Sequence, residues 1–559
     1  MRFYHGRPIR ATRLHRARYQ TSAEPKQPSS SGQKQNQDPP ELDRPHRNRP
    51  DRHRPDGHTN HDRSNSPTTG PLRPSLEENK NRLLTIFQDC DDLVIRPLAN
   101  NSNALIAFFK CMIDQTTVDR DILQPLADFG GPLTVEAAYR RMHVANLFVV
   151  EDWHEIVLRL PYGFVLLFVD GEAKAILAEA NGFETRNISA PEREIVVRGP
   201  DESFTENVEI TLSQIRRRLP VPELKVKQFF IGRTSQTRVL LLYLDGIVNR
   251  QVLEEMLCRL RQVDIDLLND GNKLQQFISD DPYSPFPQML TTERPDRAVM
   301  ELNEGKVVLA VNGTPNVLIA PYVLVDGFVT MEDYYHHFTF VTAVRLLRYL
   351  NVFVSLLGSS IYIALTTFHV EALPTSLLIN LSSAREGVPF PAVIEALLME
   401  IAIETLREAG IRLPRAVGQA ISIVGALIIG QAAVDAGLVS QAMVVVVAIT
   451  GVAGFTVPYY EMSITLRLLR FPIMFLSAAL GMFGVLLGTL FILIHIAHIR
   501  SFGVPYLTPL APTIWRQWND LVWRAPIFKI PYRSPLVEDN RRRYGNAAPA
   551  RIHPRRREK

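Results

Sequence analysis

Cysteine is scarce: Cys90, Cys111 and Cys258 stand far apart in 559 residues, with no CxxC pair and no histidine at ligand spacing. An odd, scattered set argues against a disulfide framework and a zinc site, and predicts inert, partly buried thiols in a reducing compartment. Nucleotide and hydrolase signatures are missing too. No GxGxxG follows a strand-like run, and no GxxxxGK[ST], GxSxG, HExxH or EF-hand spacing occurs. Phosphate cradling, a nucleophile elbow and metal-assisted hydrolysis each lack their frame. His336 and His337 are adjacent and would leave a helix on different faces. The expectation is a chain that is not an enzyme, with no cofactor and no metal. Net charge is +4, from 62 Lys+Arg against 58 Asp+Glu, which argues against a nucleic acid partner held along the whole surface.

Charge is unevenly spread. Residues 1–78 are dense in Arg, His, Pro, Asn and Ser and almost free of large aliphatics, so they read as a disordered basic arm unable to offset its ordering entropy. No apolar core of a secretory signal is present in it. A flexible arm and a start codon placed too far upstream are both open readings. Residues 511–559 read as a basic cytoplasmic tail, and both basic stretches suit anionic membrane lipids.

Between these ends, short β-branched or aromatic runs alternate with turns and amphipathic stretches. The pattern repeats. ALIAFF from Ala104 and its sequel match VLLLYL from Val239, with Val118-Asp119-Arg120 set against Val248-Asn249-Arg250. YGFVLLFVDG at Tyr162 matches EGKVVLAVNG at Glu304, so that Asp170-Gly171 and Asn312-Gly313 fall at equal distance from a strand. Such pairs suit the φ > 0 positions of a tight two-residue hairpin. Two tandem small α/β subdomains are predicted, 79–205 and 206–335, the second an internal repeat of the first.

Four uncharged runs are long enough to cross a bilayer as helices, 349–368, 416–434, 436–460 and 471–494 within a transmembrane helical domain 336–510. Gly425, Gly430, Gly481, Gly484 and Gly488 offer places for close helix approach. The segment 391–410 is too polar for a plain span. Pro389 and Pro391 suit its start, Gly410 and Pro414 its end, and Glu400, Glu404 and Glu408 recur every four residues, with Glu395 elsewhere on its surface. It is either an interfacial or re-entrant helix with its acids in water, or a stripe lining an aqueous path, which makes Glu395, Glu400 and Glu404 the ion-path candidates. The arginines do not settle the crossings. Arg345, Arg348 and the tail ask for an even number, while Arg407, Arg412, Arg415, Arg467 and Arg470 ask for one more crossing within 373–410. Four crossings plus the interfacial element are kept.

The runs EDYYHHFTFVTAVRLLRYL (332–350), SSAREGVPFPAVIEALLMEIAIETLREAGIRLPRAVGQAISIVGALIIGQAAVDAGLVS (382–440), RLLRFPIM (467–474) and RSFGVPYLTP (500–509) strongly resemble the A subunit of GerA-type spore germination receptors. The resemblance covers about 80–530, more loosely before Asp152. It implies an α+β and membrane fold, the two subdomains in the cytoplasm followed by a multi-pass helical domain in the spore inner membrane. It further implies partnership with a transporter-like B subunit and a lipoprotein C subunit, and a homo-oligomer that couples nutrient sensing to cation release. A branch of the family that works beside dipicolinate channel proteins stays open. So do a non-conducting membrane scaffold and a secondary transporter, although the duplication lies outside the spans.

Overall fold

The computed structural model describes residues 68–98, 101–127, 129, 133–182, 191, 194, 196–413, 425, 428–530, 532–534 and 537. Most of the basic arm and about half of the tail lie outside them. The folded part begins earlier than the predicted 79: Leu72 is buried, Pro71 bridges Asp152, and Ser75 caps helix α1 (Leu76–Ile86). The start of the predicted tail is packed as well, since Asp520 and Leu521 receive bonds from Arg345 and Tyr349.

Strands β1 (Leu93–Leu98), β2 (Asn101–Phe109), β3 (Leu147–Val150), β4 (Phe164–Val169) and β5 (Ala175–Glu179) form a sheet in the order β1-β2-β4-β5-β3. Helices α2 (Val135–Arg141) and α3 (Trp153–Arg159) flank β3 in the chain. A second set follows helix α4 (Val208–Arg218): β6 (Leu224–Ile231), β7 (Thr237–Leu244), β8 (Leu290–Thr292), β9 (Val307–Val311) and β10 (Val317–Ala320). Its order, β6-β7-β9-β10-β8, is that of the first sheet shifted by five. Helices α5 (Arg250–Gln262), α6 (Gly271–Ile278) and α7 (Pro295–Asn303) complete it. The apolar runs are buried on both faces, as in VVLAV of β9, which is why they show no alternation. Each sheet is antiparallel throughout, so the copies are α+β units rather than strand–turn–helix crossovers.

Two details of the predicted repeat change. The turns after β4 and β9 are longer than two residues, because pairing stops at Phe168–Ala175 and Ala310–Val317. Gly171 and Gly313 do take positive φ, +85° and +87°. Their neighbours act at a distance: Asp170 Oδ1 accepts from Leu76 N at 3.0 Å and Asn312 Oδ1 from Val208 N at 3.4 Å, so each turn caps the first helix of its own copy. The residue equivalent to Asn249, which caps α5, is Asp114 and not Asp119. Asp114 stands five residues past the end of β2, as Asn249 does past β7, and caps the helical segment that starts at Gln115.

The copies meet through charge. Arg216 on α4 is fully buried, with its Nε 2.9 Å from Asp92 Oδ2 and its guanidinium 4.1 Å from the centre of the Phe109 ring. Beside it, Asp91 N donates to Val226 O, which seals the outer edge of β6. Burial pushes the Cys90 thiol there up to about 11. Cys258, by contrast, is exposed and not partly buried as expected.

Past residue 337 the chain turns helical: α8 (Phe338–Thr367), α9 (Thr375–Arg385), α10 (Ala392–Arg412), α11 (Gln441–Phe455), α12 (Tyr460–Leu480) and α13 (Met482–His498). Among the described residues, α8 and α12 are long and apolar enough to cross a membrane, and α11 and α13 are shorter apolar helices. The predicted run 416–434 lies mostly outside the described residues, and 436–460 holds only the 15-residue α11. The run 471–494 is not one helix. Gly481 (φ +61°, ψ −140°) breaks it, a conformation that side chains with a Cβ rarely adopt, and α13 folds back on α12. A Cβ at Gly484 would stand 2.0 Å from Leu476 O, so glycine permits that contact.

The second sheet and the bundle share one core. A single apolar cluster runs from Leu212 and Leu242 through Tyr322 to Leu356, Leu466 and Val485. Tyr459, at the head of α12, donates to Met289 O at 3.1 Å, and Ser284 lies 2.9 Å from His495 Nε2 on α13. At the base of α8, Arg345 and Arg348 hold Asp333 at 2.9 and 3.2 Å. Burial alone would raise the Asp333 pKa, but the two guanidiniums outweigh it and hold the carboxyl below its usual range.

Breaking the joint between the copies should be costly. Arg216→Met strands Asp92 and is expected to destabilise the chain by about 3–5 kcal/mol, while adding Asp92→Asn should recover part of that loss. Denaturant unfolding of both variants measures it, and equal midpoints for single and double variants would remove the pair from the account.

Candidate functional site in the helical bundle

The glutamate stripe lies on α10, which starts after Pro391 because proline suits a first turn and cannot continue a preceding one. Its acids differ in burial: Glu408 is exposed, but the three candidates are not. Glu395 and Glu400 are 0% and 2% exposed, and Glu404 is half-buried. All three meet arginine.

Glu400 is the centre. Arg470 Nη1 on α12 donates to both its carboxylate oxygens at 2.7 and 2.6 Å. The same guanidinium donates from Nε to Ser355 O at 2.7 Å, and from Nη2 to Ser355 Oγ at 3.1 Å and Thr450 O at 3.3 Å. Ser359 Oγ completes the shell by donating to Glu400 Oε1 at 2.9 Å. Four helices, α8, α10, α11 and α12, therefore meet on one ion pair. Small residues let them approach: a Cβ at Gly358 would come 2.5 Å from Thr450 Cγ2, and one at Gly454 would come 3.2 Å from Ser355 Oγ. Arg470 is ten residues into α12, or about 15 Å along its axis at 1.5 Å per residue.

The other two candidate acids lie on either side of Glu400 along α10. Glu395 Oε2 accepts from Ser440 N at 2.9 Å, where α11 begins, and its Oε1 is 3.3 Å from Arg385 Nε at the end of α9. Glu404 is shared by Arg407 at 2.6 Å and Arg467 at 2.9 Å. Glu395 near Ser440 and Arg407 stacked 4.9 Å from the Phe455 ring centre make α10 and α11 run the same way. Glu400 on Arg470 and Glu404 on Arg467 make α10 and α12 run oppositely.

The sequence reading found the three glutamates but missed their partners. Arg467 and Arg470 were weighed only as topology markers, and Ser355, Ser359 and Thr450 not at all. A readable signal existed. Acids four apart on one helix, matched by arginines three apart on another, are what an antiparallel pair of charged faces requires. Among the described residues no group of three His, Cys, Asp or Glu is placed to hold a metal ion.

A duplicated α+β unit mounted on an apolar helical bundle with ion pairs at its centre is the class defined so far. The chain belongs to the Bacillus/Clostridium GerA spore germination protein family, whose model matches residues 81–535. It is 39% identical over 463 residues to spore germination protein KA of Bacillus subtilis (strain 168), covering 81% of this chain and 85% of the relative. It is 36% identical over 458 residues to spore germination protein A1 of the same strain, covering 82% of this chain and 95% of the relative. A solved N-terminal domain of the A subunit of the Bacillus megaterium spore germinant receptor GerK3 is 26% identical and covers 46% of this chain and 98% of its own, at a TM-score of 0.35.

Burial ranks the outer two acids. Glu395→Ala leaves Ser440 N without its acceptor and Arg385 without its ion-pair partner, and is expected to cost about 1–3 kcal/mol. Glu404→Gln, half-exposed and able to keep a hydrogen bond, should cost less than about 1 kcal/mol. Thermal melts of the two variants in one detergent check the order, and a larger loss at Glu404 would reverse it.

Proposed function

We propose that this protein is the A subunit of a spore germinant receptor, a multi-pass membrane component that couples nutrient sensing by a partner subunit to cation release. The observation that carries the reading is the Glu400–Arg470 pair, fully buried midway along an apolar helix in a chain of the GerA family. Ionisable groups at such depth are rare unless they serve a path or a switch.

The helix directions support a membrane topology that removes the conflict among the arginines. Since α10 and α11 run the same way, their like ends lie on one side, and Gly481 turns the last run into two passes. Helix α8 leaves the side of the sheets and α13 returns to it, where His495 meets Ser284, an even number of crossings. Arg345, Arg348, Arg407, Arg412 and the tail then share that side, which the positive-inside rule makes the cytoplasm.

Within one subunit Glu395, Glu400 and Glu404 are each neutralised by arginine, so none stands free to concentrate cations. Their place on an ion path is therefore that of latches, held shut at rest and parted when the receptor is triggered. Partners follow from the family resemblance: a transporter-like B subunit, a lipoprotein C subunit, and further copies of this chain around the path. The completeness of the pairing favours a second reading, a non-conducting scaffold. The two differ in spores that contain equal amounts of receptor. Arg470→Met, which frees the Glu400 carboxylate, should release cations without nutrient under the latch reading, and Glu400→Gln should change nutrient-triggered release. Wild-type behaviour from both variants would favour the scaffold.

A further inference from the structure

Three of the chain's four tryptophans, Trp515, Trp518 and Trp523, fall within nine residues, and the fourth, Trp153, is buried in the first unit. They belong to the segment that follows α13 and returns to the base of α8 through the short turns Trp515–Gln517 and Trp518–Leu521. Bonds fix it there. Asp520 O and Oδ1 accept from Arg345, Leu521 O accepts from Tyr349 Oη at 2.8 Å, and Arg524 N donates to Thr342 Oγ1 at 3.1 Å.

The segment turns charge inward and apolar surface outward. Asp520 faces Arg345, and Arg524, only 4% exposed, lies 4.6 Å from the centre of the Tyr334 ring. Trp515, Trp523 and Ile527 are 73%, 46% and 55% exposed, and exposed Lys529 follows them. A segment facing water would reverse that order. At the same level of α8, Phe340, Leu346 and Leu347 are exposed as well. Helix length sets the level. The 30 residues of α8 span about 45 Å, whereas bilayer hydrocarbon is about 30 Å thick, so about ten residues project beyond it. Arg345 and Arg348, which hold Asp333, put that surplus at the end nearest the sheets, and the contacts at Thr342, Arg345 and Tyr349 lie within it or at its edge.

We infer that residues 515–527 lie in the headgroup region of the cytoplasmic leaflet, with Trp515, Trp523 and Ile527 set among the phospholipids. Indole rings favour that zone, where an apolar face meets lipid and the ring N–H finds a polar partner. Trp523 Nε1 donates to Asn519 Oδ1 at 3.3 Å, so it carries no unmet donor into the interface. Farther on, Ser534 N donates to Glu304 Oε2 at 2.7 Å at the end of α7, so the same stretch of chain ties the second unit to the membrane surface. A protein partner covering these side chains would need no match between their level and the end of the α8 span. The inference rests on the membrane reading above.

The test uses the full chain reconstituted in phosphatidylcholine vesicles, its tryptophan emission quenched in turn by lipids brominated near the headgroup, by lipids brominated near the chain ends, and by aqueous iodide. Shallow bromines should quench more strongly than deep bromines or iodide. Trp515→Phe with Trp523→Phe, which keeps the aromatic bulk, should lose most of that shallow quenching, because Trp153 is buried and Trp518 partly so. Should the double variant fail to reconstitute, each single variant should still lose part of it. Quenching by iodide alone would put these side chains in water, as for a surface meant for a protein partner, and overturns the inference. So does shallow quenching that survives undiminished in a reconstituted double variant. Failure of the membrane reading would show separately, as a chain that alkaline carbonate washes off the vesicles.

Discussion

The bundle is organised by one electrostatic constraint: a carboxylate and a guanidinium removed from water cannot be left apart. Stranding one member of such a pair costs about 3–5 kcal/mol, a large share of the stability of a typical domain. Glu400 and Arg470 therefore fix the register of α10 against α12. Because Arg470 also bonds Ser355 and Thr450, and Ser359 bonds Glu400, the same pair fixes α8 and α11. Gly358 and Gly454 are the steric counterpart, since larger residues there would hold the helices too far apart for the shell to close. A well-packed apolar contact of equal volume would be as stable or more so, so stability alone does not explain why charge is used.

The sheets reach this junction through a short mechanical route. Thr465 on α12 donates to Pro285 O in the loop before β8, while Tyr459 bonds Met289 O in the same loop. Arg470 lies five residues beyond Thr465. On the other side of the molecule, Asp333 ties the end of the second sheet unit to Arg345 and Arg348 on α8, seven residues before Ser355. A shift of the second unit relative to the bundle would thus pull on both α8 and α12, the two helices whose groups surround the Glu400 carboxylate.

Much of this was legible in the amino-acid sequence, for physical reasons that also mark its limits. The duplication was readable because the paired strands are buried on both faces and keep their apolar runs in each copy. Asp170-Gly171 and Asn312-Gly313 stood out as turns, but their helix-capping role depends on Leu76 and Val208, which lie 94 and 104 residues away. Hydropathy could not reveal the break at Gly481, because a turn buried in apolar surroundings needs no polar residue. It also placed Arg467 and Arg470 before the start of a span at 471, although α12 carries both inside. The glutamate stripe was visible and its burial was not, since a stripe of acids looks the same facing water as facing arginines on another helix.

The most direct measurement is a double-mutant cycle on Glu400 and Arg470, read from thermal unfolding of the full chain in detergent. Glu400→Gln and Arg470→Met should each destabilise strongly, and the double variant should lose clearly less than the sum, with a coupling of about 1–3 kcal/mol. Additive losses would mean that the two side chains act independently and that the junction of four helices is held by something else.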